Sequence, residues 1–193
     1  MLRPLRATLA RFAVRHAAAI QRRAPVRAEF WLKLACALTP TFGEAHVALV
    51  HLRRATEDRW GAVAAAQEAT EQWPDNPDAW MLLGEAHQMV FRQREALGAY
   101  EQALAIEERA DAAMAAGGLY RRAEQYADAA ARFARAYAAG AGAQALWENA
   151  QALFLAGDER AADEALNLWA TQVLDGMERL SEARAEMRGG KRS

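Results

Sequence analysis

The chain has 193 residues, 53% of them hydrophobic and many of those alanine, which points to one domain, or one with an extension, built of closely packed helices rather than sheets. The net charge of −1 hides an asymmetry: residues 1–28 hold seven arginines and no acid, and the remainder holds 17 basic against 25 acidic groups (17 − 25 = −8). One cysteine, Cys36, excludes an intramolecular disulfide and a cysteine-based metal site and fits a reducing, cytosol-like compartment, while no run approaches the ~20 apolar residues that span a bilayer.

Residues 1–25 read as a basic amphipathic helix. Leu5, Leu9, Phe12, Ala13, His16, Ala19 and Ile20 share one face of a helical wheel, and Arg3, Arg6, Arg11, Arg15 and Arg22 share the other. Pro4 suits the first turn. The scattered arginines break up any secretory apolar segment, which predicts an uncleaved arm in a bacterial cytosol; a mitochondrial transit peptide, and so the matrix, is the alternative for a eukaryotic source, although such peptides are serine-rich and this one has only Thr8. Three roles compete for the arm. The favoured one packs its apolar face as a first helix. A second lays residues 2–23 on an anionic membrane surface. The third is contact with an acidic partner; nucleic acid is not expected, because no aromatic interleaving or binding fold accompanies the charge.

Past the arm, hairpins of helices are predicted at about 9–42, 43–76, 77–110, 110–143 and 143–176. Residues 9–42 form a degenerate copy, broken by Pro25 and ended by Pro40. Cys36 lies in it among Leu34, Ala35, Ala37 and Leu38, the setting of an inert buried thiol. The period shows in independent columns. Ala62, Ala96, Ala129 and Ala162 are 34, 33 and 33 apart, and Ala35, Ala69, Ala103 and Ala136 are 34, 34 and 33 apart. Four positions after three of the first set stand Tyr100, Phe133 and Leu166. Gly84 and Gly117 are 33 apart, and Pro40 and Pro74 are 34 apart. Helices that approach closely need small side chains where they meet and a large neighbour to fill the adjoining space. Pro74-Asp75-Asn76-Pro77-Asp78 marks a turn and a helix start. Residues 177–188 read as a capping helix and 189–193 as a fraying tail.

The best copy, 77–110, carries Trp80, Leu83, Gly84, Ala96, Tyr100 and Ala103. These resemble the tetratricopeptide-repeat (TPR) signature W-x2-L-G followed by A-x3-F/Y and then A. His87 stands where the family usually has tyrosine, and Glu108 where it usually has proline. The resemblance covers roughly residues 26–176. It implies an all-α, right-handed α-solenoid of about four to five hairpins with a C-terminal capping helix, and a concave groove lined by the first helix of each hairpin that binds a protein or peptide.

In that register the groove stripe of 77–110 is Met81, Glu85, Gln88 and Met89. The adjoining hairpins offer Val47, His51 and Arg54, then Met114, Gly118, Arg121 and Arg122, then Trp147, Gln151 and Phe154. Methionines suit an adaptable apolar surface, and arginine forks suit carboxylates; packing between hairpins and plain solvation are the competing explanations. The lysines and asparagines with which some family members clamp acidic C-terminal peptides are missing. No phosphate loop and no H-E-x-x-H is present, and His46 and His51 are five apart, a poor spacing for one metal on a helix face. The expected function is therefore a non-enzymatic interaction scaffold without a cofactor, an assembly factor or accessory subunit of a larger complex. A membrane-surface adaptor is the alternative.

Overall fold

A computed structural model describes residues 3–38, 43–173 and 176–190. The expected stop at Pro40 and the end of the tail, 191–193, lie outside them. The described residues form eleven helices and no strand: α1 (Arg3–Ile20), α2 (Pro25–Leu38), α3 (Glu44–Ala55), α4 (Arg59–Gln72), α5 (Pro77–Met89), α6 (Gln93–Ile106), α7 (Ala110–Arg122), α8 (Tyr126–Ala138), α9 (Ala143–Ala156), α10 (Glu159–Gln172) and α11 (Gly176–Gly190). Gly189 and Gly190 thus belong to α11 rather than to a frayed tail. The chain divides into two units, Met1–Ile106 and Glu107–Ser193. In the first, α1 packs on α2, α2 on α3, α3 on α4, α4 on α5 and α5 on α6; in the second, α7 through α11 pack in the same sequential way.

Four of the five hairpins turn at one recurring point. Glu57, Phe91, Glu124 and Gly157 have φ of 61°, 60°, 59° and 92°, a left-handed residue that ends the first helix of each of four hairpins. Bonds to the preceding turn satisfy its last carbonyls: Arg92 N–H donates to His87 O at 3.0 Å, Gln125 N–H to Tyr120 O at 2.9 Å and Asp158 N–H to Leu153 O at 3.0 Å. In two hairpins, α3–α4 and α9–α10, the second helix then starts on a side-chain cap. Asp58 accepts from Gly61 N–H at 2.9 Å, and Asp158 accepts from Ala161 N–H at 3.0 Å. At the start of α5, Asn76 accepts from Asp78 N–H at 2.9 Å, and Trp80 Nε1–H ties back to Pro74 O at 2.7 Å.

The small-residue columns are the contact points between helices. All eight alanines named above are 0–1% exposed. Tyr100, Phe133 and Leu166 are the largest fully buried side chains among the described residues. Tyr100 lies against Gly84, and Phe133 against Gly117. In the equivalent pair of α9 and α10, Ala150 stands with Leu166, and both are fully buried in one cluster. In α3 and α4 the pair is Val50 with Ala66. As the residue on the second helix shrinks from ring to leucine to alanine, its partner grows from glycine to alanine to valine. The filled volume at the contact is roughly conserved, as close packing requires.

The α1–α2 hairpin departs from expectation. Its inner face is built on Ala10, Ala13 and Ala17, each 1–3% exposed, with Val14 and Ile20 half-buried against the core; of the expected face Ala13 and Ile20 lie inward, and Leu5, Leu9 and Phe12 do not. Leu5, Leu9 and Phe12 point outward at 56%, 47% and 57% exposure. The reason is the same close approach: α1 meets α2 through alanine, so bulkier residues have no room at the contact.

Candidate partner-binding surface

The first helices of the two hairpins α3–α4 and α5–α6 place several of the expected groove residues together. Arg54 from the last turn of α3 and Glu85, Gln88 and Met89 from α5 line an open cleft of about 760 Å³. Arg54 and Glu85 are exposed; Gln88 and Met89 are half-buried. The cleft therefore offers a cation, an anion, an amide and a flexible thioether, a set suited to an extended polypeptide with mixed side chains. His51 is exposed on α3 outside this cleft, and Val47 packs half-buried against the core. Met81 differs from expectation. It is 8% exposed and belongs to the core, because it sits on the α5 face that meets neighbouring helices.

In the second unit, Arg121 of α7 reaches across to α9. Its Nη1 donates to the Glu148 carboxylate and, at 3.4 Å, to Gln151 Oε1. The guanidinium also lies 5.9 Å from the Phe133 ring centroid. Arg121 and Gln151 thus share one face, but Arg121 is engaged by an internal carboxylate rather than held open for a partner's. Arg122 is exposed, and Met114 is half-buried against Phe133 and its neighbours. Trp147 turns toward α10 and α11: its ring lies 5.3 Å from that of Trp169, beside a cavity of about 410 Å³ that Glu182 and Arg179 also line. Gly118 is half-buried, and Phe154 is buried at 6% exposure.

Residues outside the expected set contribute as well. Phe91, at the left-handed turn, is 79% exposed on the rim of the first cleft, beside Glu57. Arg92 stacks 4.8 Å from the ring of Trp60, itself 57% exposed. The signal for Phe91 was its register: positions 57, 91, 124 and 157 repeat at 34, 33 and 33, and only Gly157 announces a turn. Glu148 lies in no periodic column.

The titratable groups act structurally. Burial pushes the Cys36 thiol up to about 11, so it is protonated at neutral pH. Burial lowers the pKa of His46 and of His87; for His87, nearby Glu95 opposes the shift and Arg92 adds to it. Hydrogen bonds from Lys33 and Arg53, set against partial burial, leave Glu29 below the usual carboxylate range. No three His, Cys, Asp or Glu among the described residues are grouped to hold a metal ion, and no described helix is long and apolar enough to cross a membrane.

Antiparallel hairpins of this length, nested through small residues every 33 or 34 positions, define the tetratricopeptide-repeat fold. No family model matches the chain, and no curated protein matches it in sequence. Solved structures do. A tetratricopeptide repeat protein from Parabacteroides merdae is 18% identical at a TM-score of 0.67, over 93% of this chain and 72% of that one. YrrB, described as a TPR protein with an unusual peptide-binding site, is 17% identical at 0.64, over 89% and 90%. MamA from Desulfovibrio magneticus is 16% identical at 0.64, over 84% and 94%. At such identities the likeness establishes the fold and not the partner.

Proposed function

We propose that the chain is a non-enzymatic scaffold that holds a protein or peptide partner against the exposed faces of its first helices, as an assembly factor or accessory subunit in a bacterial cytoplasm. The observation that carries this reading is the cleft of Arg54, Glu85, Gln88 and Met89, which is open, chemically mixed and built on rigid helices. The peptide-binding site described for YrrB, a protein of the same fold, supports the reading. In the first unit His51 adds an exposed side chain on α3; in the second, Met114, Arg122 and Gln151 are the corresponding candidates on α7 and α9, while Val47 and Trp147 pack inward.

The test is affinity purification with mass spectrometry, comparing the wild type with a variant combining Glu85→Lys, Gln88→Ala and Met89→Ala. The expected result is loss of at least one partner with helicity unchanged. Retention of every partner by a folded variant would remove this cleft as the binding surface.

A further inference from the structure

The α1–α2 hairpin carries an apolar face that the fold leaves open. Leu5, Leu9 and Phe12 of α1 are 47–57% exposed, and Val26 and Phe30 of α2 are 80% and 63% exposed. Trp31 joins the two helices into one surface: its ring lies 6.2 Å from Phe12 and 5.9 Å from Phe30, both edge-on. A soluble surface rarely leaves so many large side chains together without an occupant.

Charge decides which occupant fits. Arg6, Arg11, Arg15, Arg22, Arg23 and Arg27 are all exposed. The first acid in the chain is Glu29, and it is already bound to Lys33 and Arg53 at 3.0 Å each. Helix geometry sets cations along the edge of the apolar face: at 100° per residue, Arg15 lies about 60° around α1 from Phe12, and Arg27 about 60° around α2 from Phe30, each pair within about one turn. A second copy placed face to face would set arginine against arginine. An anionic bilayer would take the apolar and aromatic side chains at its interface and its phosphates would meet the guanidinium forks.

We infer that the α1–α2 hairpin seats on an anionic lipid surface through Leu5, Leu9, Phe12 and Phe30, held by the surrounding arginines. Both helices lie along the membrane, and neither crosses it. The inference is independent of the cleft on α3 and α5, which shares no residue with this face.

The experiment is flotation of the full chain with vesicles of phosphatidylglycerol and phosphatidylcholine in equal parts, against phosphatidylcholine alone. Binding should be at least about tenfold stronger to the anionic vesicles and should weaken as salt rises, because the screening length shortens. Arg22→Gln, Arg23→Gln and Arg27→Gln together should weaken it by up to about 100-fold, from about fivefold for each charge near the surface. Leu9→Gln with Phe30→Gln should weaken it by about tenfold or more at unchanged circular dichroism. Equal binding to both vesicles, no binding to either, or salt-insensitive binding by the wild type overturns the inference without recourse to any variant. So does a wild-type dimer that the Leu9 and Phe30 changes dissolve while vesicles remain unbound, which would assign the face to a second copy.

Discussion

A methyl group on Gly84 would lie 2.4 Å from the ring of Tyr100. No side chain tolerates that distance, so the ring or the helix must move. The same holds at Gly117, where the added carbon would lie 2.7 Å from Phe133. Gly84→Ala should therefore destabilise by about 1–3 kcal/mol, as overpacked contacts do. Tyr100→Leu alone should also destabilise, by opening a cavity. Combined, the two changes recreate the Ala150 and Leu166 pair that α9 and α10 use naturally. The double variant should lose clearly less than the sum of the singles. Urea unfolding in a double-mutant cycle measures this; strict additivity would show that the pairing has no energetic content.

Phe91 holds a left-handed backbone angle that costs a side chain with a Cβ roughly 1–2 kcal/mol. Its ring is exposed and contributes little packing. Phe91→Gly should raise stability by about 0.5–1 kcal/mol, after allowing for the greater freedom of glycine in the unfolded chain. Gly157→Ala should do the reverse by a similar amount. Thermal melts of both variants check the pair. A gain in stability coupled to loss of a partner would identify Phe91 as a residue kept for contact rather than for the turn.

Acidification should weaken the fold before its carboxylates titrate. His46 and His87 have folded pKa values below their ordinary 6.5 because burial disfavours the charged ring. The unfolded chain therefore binds more protons, and stability rises with pH across this window. The contribution is complete above 6.5, declines as pH falls through that value, and is gone below the folded pKa. Melting temperature should fall as pH drops from about 7 through 6.5, and His87→Phe should flatten part of that slope. A wild-type slope equal to that of the variant would mean that burial of His87 carries no linkage.

Arg53 joins three helices. It donates to Glu29 of α2 at 3.0 Å and to the carbonyl of Gly61 in α4 at 2.6 Å, from its own place in α3. Its side chain is only 14% exposed, so these bonds are shielded from water. Arg53→Ala should cost about 2 kcal/mol, because the Gly61 carbonyl loses this donor while Glu29 keeps only Lys33. Arg53→Lys should recover only part of this, because an ammonium cannot reach both partners as a fork does. Chemical unfolding compares the three proteins; full recovery by lysine would reduce the contact to simple charge.

The repeat was legible because its rule is local. Two helices can nest only where side chains are small, so alanines recur at the interval of the hairpin, and Tyr100, Phe133 and Leu166 fall in register with them. The buried side of α1 was not legible for the same reason. A helical wheel centres the inner face on Leu5, Leu9, Phe12 and Ala13, whereas the actual face keeps Ala13 and adds Ala10 and Ala17 in place of the large side chains. Met81 shows the converse on α5, where the stripe assigned to the groove has one member inside the core. The link from Arg121 to Glu148 depends on the distance between α7 and α9, which no spacing in the chain encodes.

Cys36 is half-buried and its thiol is raised to about 11, so it should react slowly with thiol reagents at neutral pH. A second cysteine placed on an exposed turn would react far faster. A fluorophore or spin label could therefore be attached at one chosen position without first replacing the native residue, and distances between a bound polypeptide and a single reporter could be followed in solution.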